Sequence, residues 1–125
     1  MRLTISTLVL VVTVIVATPK LLAQPKGERV TVTGEVVEMW CYLEAGDRGL
    51  AKKGCATACA KAGNPIALID AKGNLYVAAG LKSHQPAQEL LLDKMSEQVT
   101  VTGTLVKNAG VQMIYIETVG DDRRP

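Results

Sequence analysis

The sequence predicts a mainly β protein, built as a small five-stranded barrel with two helices. Three observations support this fold class. Most of the chain after residue 27 consists of short alternating apolar runs separated by glycine-containing turns. The order is strand, inserted segment, hairpin, helix, hairpin, which is the order of an OB-like barrel with its helix between strands three and four. Finally, "VTVTGEVV" at 30–37 recurs as "VTVTGTLV" at 99–106, which is expected if the first and fourth strands pair and each bends at its glycine.

The individual strands follow from local patterns. Residues 28–38 alternate around Gly34, as in a strand that bends or bulges at a glycine. Residues 66–70 and 74–79 form a predicted hairpin with Gly73 in its turn, and residues 97–107 and 111–119 form another around Asn108-Ala109-Gly110. The OB-like domain is therefore expected over 28–119. A small open sheet with two helices is the alternative architecture.

Two helices are predicted between the strands. Residues 83–96 place apolar side chains on one helical face, with Pro86 tolerated only in the first turn. Residues 50–62 place Ala51, Cys55, Ala58, Cys59 and Ala62 on one stripe. Gly63 followed by Asn64-Pro65 predicts where that helix ends. The cysteine-bearing helix is thus inserted after the first strand.

The N-terminus has the pattern of an export signal. Met1-Arg2 precedes an apolar run that ends before Thr18-Pro19-Lys20, and the run is shorter than the ~20 residues that span a bilayer. We expect residues 1–23 to be removed after export, giving a periplasmic or secreted protein that contacts a membrane only if this signal stays uncleaved. Residues 120–125 are a polar tail, which we expect to fray.

Charge and composition argue against nucleic-acid binding. Without Arg2 and Lys20, the 14 Lys and Arg become 12, which balance the 12 Asp and Glu. Single-strand binding needs aromatic rings above a cationic groove. Only Tyr76 and Tyr115 fall within predicted strands, and the chain has no Phe. We therefore predict no nucleic-acid partner and a core made of Val, Leu, Ile and Ala, whereas any protein partner is left unidentified.

The three cysteines, all within residues 39–65, allow three interpretations. Cys55 and Cys59 are four apart on the predicted helix, where Cβ atoms lie about 5–6 Å apart, whereas a disulfide needs about 3.8 Å. A disulfide would therefore join Cys41 to one of them, stapling the inserted helix to the barrel and leaving one spare thiol. Alternatively, Cys41, Cys55 and Cys59 together form a three-sulfur site for a soft metal ion, Cu(I) or Zn(II). In the third interpretation they are small buried hydrophobic residues.

A fourth metal ligand would have to come from Met39, Glu38 or His84. Met39 shares a strand face with Cys41 if the first strand continues through residue 41, although packing is the more common role of such a methionine. His84 is the only histidine and precedes the second predicted helix.

The sequence contains no constellation typical of catalysis. There is no CxxC redox pair and no CxxCH haem motif. A cysteine nucleophile needs a base, and the only histidine has no orienting partner near it in the sequence. We therefore expect a non-enzymatic protein.

Trp40 and Tyr42 flank Cys41 and are scarce large side chains in this chain. On an extended chain both would point away from the side of the cysteine. The sequence favours Trp40 as a filler of the aliphatic core; the alternative is a wall of a shallow site between the inserted helix and the barrel.

The segment from Gly34 to Pro65 resembles a family of small exported bacterial proteins. The resemblance rests on Gly34-Glu35-Val36-Val37-Glu38, Cys41-Tyr42, Cys55-Ala56-Thr57-Ala58-Cys59 and Gly63-Asn64-Pro65. It implies an OB-like fold and an exported location rather than a particular activity, since the family is largely uncharacterised. Where that pattern tends to have histidine three residues before the first helix cysteine, this chain has Lys52.

Overall fold

A computed structural model describes residues 26–121 of the chain. The predicted export signal at 1–23 and residues 122–125 of the predicted tail lie outside the described residues. Within them, no helix has the length and apolar character needed to cross a membrane. The elements in chain order are β1 Glu28–Glu38, α1 Met39–Ala45, a 3-10 turn Leu50–Lys52, α2 Lys53–Lys61, β2 Ile66–Asp70, β3 Leu75–Gly80, α3 Gln88–Leu91, a 3-10 turn Leu92–Lys94, β4 Gln98–Asn108 and β5 Val111–Asp121.

The five strands close into a barrel in the order β1-β2-β3-β5-β4. The β3–β5 pair is parallel, and the other four pairs are antiparallel. The predicted five-stranded barrel, with one helix inserted after strand 1 and another between strands 3 and 4, is confirmed. The open-sheet alternative is wrong, because β3 also pairs with β5, so that every strand has two partners and no edge is free.

The repeated Val-Thr-Val-Thr-Gly motif pairs with itself across the β1–β4 ladder. Val32 lies opposite Val101, and each motif glycine lies opposite the first valine of the other copy. On the outer face, two threonine pairs face each other across the ladder: the Oγ1 atoms of Thr31 and Thr102 are 3.2 Å apart, and those of Thr33 and Thr100 are 2.7 Å apart. The recurrence in the sequence therefore reflects a local antiparallel symmetry of the barrel.

The barrel interior is filled by aliphatic side chains, as the composition predicts. Residues of all five strands, of α2 and of the α3 region contribute to this one cluster. Its buried members are Val32, Val36, Ala56, Ala60, Ile66, Leu68, Ala78, Ala87, Leu91, Met95, Val99, Val101, Ile114 and Ile116. No aromatic side chain belongs to this buried set, and half-buried Tyr76 packs against it.

Some element boundaries differ from the prediction. The helix expected over 83–96 is limited to α3 and the following 3-10 turn. Residues before α3 are held instead against the end of β3, since Gly80 N donates to Gln85 O at 3.0 Å and Pro86 forms an isolated bridge with Ala79. At the C-terminal end, β5 continues through Gly120 to Asp121, opposite Thr100 and Val99, so the first two residues of the predicted tail belong to the ladder.

Residues 39–65 form an insertion between two adjacent paired strands. Glu38 at the end of β1 is the register partner of Ile66 at the start of β2. Met39 N donates to Pro65 O at 2.9 Å, which closes the base of the insertion. Because both ends of the segment leave the barrel at the same point, its two helices are brought close together.

Candidate metal centre

Cys41 lies on a helix rather than on an extension of β1. The first strand ends at residue 38, as predicted, so the chain is not extended through Cys41, and Glu38 caps α1. Its two carboxylate oxygens accept from Trp40 N and Cys41 N, each at 2.9 Å. Such capping satisfies backbone donors that have no partner within the helix. The helix ends at Gly46, whose φ of 68° is left-handed and whose N–H donates to Tyr42 O at 2.8 Å.

Cys55 and Cys59 lie on α2, one turn apart as predicted, but the predicted apolar stripe is not the face that packs on the barrel. Ala56 and Ala60 are buried in the barrel core, whereas Ala51, Ala58 and Ala62 are exposed. Each cysteine directly precedes a buried alanine and is thus rotated about 100° around the helix axis from it. This rotation leaves the two thiols outside the core. The predicted helix end is confirmed, since α2 stops at Lys61 and Gly63 has a φ of 103°.

The three thiols meet where α1 and α2 face each other. All three Sγ atoms lie within 4.8 Å of one another, and Cys41 Sγ is 3.9 Å from Cys59 Sγ. Sulfurs that share one ion at a bond length of 2.3 Å are about 3.8 Å apart in tetrahedral and about 4.0 Å apart in trigonal geometry. The thiols are therefore placed to bind one ion with a contraction of about 1 Å at most.

The cluster lies at the molecular surface and contains no disulfide. All three cysteines are free; Cys55 is exposed, and Cys41 and Cys59 are half-buried. Their exposure contradicts the interpretation as small buried hydrophobic residues. The predicted bridge from Cys41 is not formed, because 3.9 Å far exceeds an S–S bond of about 2.05 Å. The distance of 3.9 Å nevertheless makes Cys59 a candidate bridge partner of Cys41.

Glu38 controls the protonation of Cys41. Glu38 is 1% exposed, and this burial disfavours its charged form. Hydrogen bonds outweigh the burial and lower the pKa of this carboxyl; they come from the Cys41 thiol, from the backbone of Cys41 and Trp40 and from the Asn64 side chain. In return, the hydrogen bond to Glu38, followed by burial and by the Cys59 thiol, raises the pKa of Cys41 to about 12. Cys41 is therefore a neutral thiol at pH 7, and a bound cation would have to displace its proton.

Lys52 places a positive charge beside the cluster. Its Nζ is 2.9 Å from Asp47 Oδ1. The hydrogen bond and the charge of Asp47 raise the pKa of Lys52, and the nearby Cys55 and Cys41 sulfurs add to this effect. Residue 52 thus contributes an ammonium group to the surroundings of the thiols. That group attracts thiolates but cannot ligate a cation.

The loop between the two helices is tied to the barrel through a buried glutamate. Glu35 of β1 is 6% exposed and accepts from Arg48 Nε at 3.0 Å and Arg48 Nη2 at 2.9 Å. Its other oxygen accepts from Gly49 N. A charged group is rarely this buried unless it is paired, as it is here. The contact holds residues 46–49, and with them the relative positions of α1 and α2.

Both helices of the insertion are anchored on the barrel at separate places. Half-buried Met39 and Tyr42 of α1 pack against an outer cluster of Val37, Ala67 and Ile69 on β1 and β2. In α2, Lys53 Nζ is 2.6 Å from Glu97 Oε1. From the first residue of α3, Gln88 Nε2 donates to Ala60 O at 3.2 Å and to Asn64 O at 2.9 Å. The thiol cluster is consequently held by two elements that are each fixed to the scaffold.

The proposed additional ligands do not join the cluster. Among residues 26–121, the group of mutually close His, Cys, Asp and Glu ligand atoms contains only the three cysteines. His84 is exposed on the loop after β3, with Nδ1 at 2.8 Å from Ser83 Oγ. Met39 packs in the outer cluster, which is the packing role that its residue type favours. Both oxygens of Glu38 are occupied by backbone N–H groups.

Trp40 is not part of the core. Its side chain is 57% exposed on α1, and together with Leu43 and Glu44 it lines a shallow surface depression of about 340 Å³. The interpretation of Trp40 as a core filler is therefore wrong. The physical reason is that α1 turns the chain by about 100° per residue, so that Tyr42, rather than Trp40, packs on the barrel.

Comparisons with known proteins leave the site to be argued from its geometry. No protein-family model, no curated protein sequence and no solved structure matches this chain.

Proposed function

We propose that this protein is an exported, non-enzymatic barrel domain that binds one soft metal ion, Cu(I) or Zn(II), through Cys41, Cys55 and Cys59. The observation that carries the proposal is the mutual approach of the three Sγ atoms to within 4.8 Å. Thiolates are the protein ligands best suited to soft cations. The scaffold adds preorganisation, because each helix of the insertion is held to the barrel independently of the sulfurs.

Electrostatics support a cationic occupant. Three thiolates carry three negative charges, so a monovalent or divalent cation leaves a net negative complex, which Lys52 beside Cys55 and Cys41 stabilises. An exported location rests on the N-terminal pattern and on the resemblance of residues 34–65 to exported bacterial proteins.

Metal titration of the reduced protein tests this function. The full chain is expressed in a bacterial host so that its N-terminal segment can be processed, purified anaerobically with reductant, and titrated with Cu(I) and with Zn(II). We expect one ion per chain and a loss of affinity of at least about 100-fold in Cys55→Ser, since even outer contacts of metal ligands are worth about 10–100-fold. Ala58→Ser is the matched control, because it introduces the same hydroxyl on an exposed position of α2.

Two results would contradict the proposal. One is the absence of stoichiometric binding of either metal, and the other is an equal change of metal affinity in Cys55→Ser and Ala58→Ser.

Fractionation of the same cells tests export. Recovery of the protein only from the cytoplasm with residues 1–23 intact would refute the exported location.

A disulfide-stapled structural or interaction module is the second candidate function. It is favoured by one specific observation, the 3.9 Å between the Sγ atoms of Cys41 and Cys59. Oxidation would link α1 to α2 and leave Cys55 as the spare thiol. Counting thiols in protein freshly extracted from the exported fraction, with and without reductant, separates the candidates: one titratable thiol without reductant and three with it indicate the staple, whereas three under both conditions exclude it.

A further inference from the structure

The inference concerns the side of the thiol cluster that faces solvent, and it rests on the proposed function. Zinc sites with four protein ligands are closed, whereas sites with three keep one position for water or an incoming ligand. Here the described part of the chain supplies three sulfurs and no fourth His, Cys, Asp or Glu ligand atom. A bound Zn(II) would therefore keep one position that this part of the protein does not fill.

That position opens outward. Cys55 is exposed, and Cys41 and Cys59 are half-buried, so the ion would lie at the surface. On the inner side lies the carboxylate of Glu38, which is 1% exposed and whose oxygens accept from Trp40 N and Cys41 N. Releasing Glu38 to ligate the ion would leave two N–H groups of α1 without partners, which is costly for donors at a buried cap. The scaffold thus engages both oxygens of Glu38 in capping α1, whereas the outer face is open to solvent.

The softness of the three sulfurs favours a soft fourth ligand. Lys52 precedes Cys55 by three residues, its Nζ lies 2.9 Å from Asp47 Oδ1, and it interacts electrostatically with Cys55 and Cys41. Its side chain is 48% exposed, so its charge also faces the solvent from which a ligand would approach. A thiolate shares the softness of the three existing ligands, and the positive charge of Lys52 offsets part of the negative charge that it adds.

We infer that the fourth coordination position of Zn(II) at Cys41, Cys55 and Cys59 is filled by a thiolate from another molecule, so that the site forms a ternary complex with thiol-bearing partners. In this step the incoming thiol releases its proton to water, its sulfur forms a bond to zinc, and the water that occupied the position leaves. No electron is transferred, and zinc keeps its oxidation state.

Glutathione serves as the probe thiol. The full chain, exported and purified reduced as above, is loaded with one Zn(II) and examined by native mass spectrometry as glutathione is added. We expect a species with one chain, one Zn(II) and one glutathione, its abundance rising with glutathione concentration to saturation. S-methylglutathione is the matched control, because it keeps the charges of the peptide but cannot form a thiolate, and it should add no mass.

The outcomes separate the inference from the proposed function. A chain that binds neither Zn(II) nor Cu(I) removes both. A chain that binds only Cu(I), or binds Zn(II) but forms no ternary species, overturns the inference alone. Equal addition of glutathione and S-methylglutathione, or removal of Zn(II) by glutathione without a ternary species, also overturns it. As a second measurement, Co(II) in place of Zn(II) should change its visible absorption spectrum when glutathione binds and should not respond to S-methylglutathione.

Discussion

At the scale of single residues, two buried glutamates of β1 organise the cysteine segment. Glu35 holds the loop between α1 and α2 through Arg48 and Gly49, and Glu38 caps α1 and receives the Cys41 thiol. In the sequence both occur within an alternating strand pattern, in which a glutamate is normally a solvent-facing residue. Their burial depends on partners from the insertion, so only the unusual Glu-x-x-Glu before a cysteine could have drawn attention to them.

Replacement of Glu38 by Gln should lower the pKa of Cys41 and destabilise the protein. The amide removes the charged acceptor that is the largest cause of the raised pKa of about 12. It also weakens the cap of α1, at a cost of about 1 kcal/mol. Alkylation of the Cys41 peptide as a function of pH, followed by mass spectrometry, should begin at lower pH in Glu38→Gln than in the wild type.

The control for this substitution is Glu35→Gln. It changes the other buried glutamate of the same strand, which contacts Arg48 and Gly49 rather than Cys41. If the alkylation profiles of Glu38→Gln and wild type coincide, or if both variants shift alike, the assigned role of Glu38 is incorrect.

Asp70 gives the β2–β3 turn a pH dependence. The Asn74 side chain, followed by the Asn74 and Lys72 backbone N–H groups and the Tyr76 hydroxyl, donates to this carboxylate and lowers its pKa. A lowered folded-state pKa stabilises the fold above the unfolded-state pKa of about 3.9, and the contribution is lost as pH falls through the lower folded-state value.

Asp70→Asn should therefore be less stable than wild type at pH 7, with a difference that shrinks below about pH 4. Urea unfolding at a series of pH values measures this difference, and Asp93→Asn, on an exposed site of the 3-10 turn after α3, is the control. A difference between Asp70→Asn and wild type that is the same at pH 7 and at pH 2.5, roughly a unit below the unfolded value, would refute the assignment.

At the scale of elements, the sequence was sufficient to predict the strands and the end of α2 and insufficient to predict α1. The strands and the end of α2 follow from alternation and from Gly63-Asn64-Pro65, which are local signals. α1 has seven residues, too few for a periodic pattern or for stability in isolation. It forms because Glu38 caps it and because Tyr42 and Met39 pack on the barrel. The thiol cluster could be anticipated as three cysteines, but not as the meeting point of two helices.

The packing face of α2 provides a test at the same scale. Ala60 is fully buried in the barrel core, whereas Ala58 on the same helix is exposed. Leucine at position 60 must displace core side chains, and overpacking of this kind costs about 1–3 kcal/mol. In urea unfolding, Ala60→Leu should be destabilised by this amount, and Ala58→Leu should lie within about 0.5 kcal/mol of wild type. If Ala58→Leu were destabilised more than Ala60→Leu, the cysteine stripe would face the core, as the sequence pattern had indicated.

At the scale of the whole molecule, closure of the barrel depends on close approaches between strands. These approaches occur at the glycine of each copy of the repeated motif. A Cβ at Gly34 would lie 2.7 Å from Ile69 O on β2, and a Cβ at Gly103 would collide with Tyr115 O on β5. Gly103 also adjoins the register shift between β4 and β5. The two glycines are thus the points at which β1 and β4, paired with each other, turn to meet their other neighbours. This architecture was predictable because hairpins and glycine positions are local features of the sequence. Once the β1–β2, β2–β3, β1–β4 and β4–β5 pairs form, pairing of β3 with β5 closes the barrel.

Substitution of Gly103 by Ala should weaken the entire barrel. The added methyl meets a backbone carbonyl, which cannot rotate away as a flexible side chain can, so that β4 and β5 must separate. We expect a loss of about 1–3 kcal/mol in the free energy of unfolding, as for other overpacked sites. Gly54→Ala is the matched control: this position on α2 has no neighbour within 4 Å of an added Cβ, and alanine in a helix should stabilise by about 0.4–1 kcal/mol. Urea unfolding, followed by circular dichroism of the β-sheet signal, measures both variants. Equal stability of the two proteins would show that β4 and β5 do not approach as closely at Gly103 as the structure has them, and the account of barrel closure would then fail.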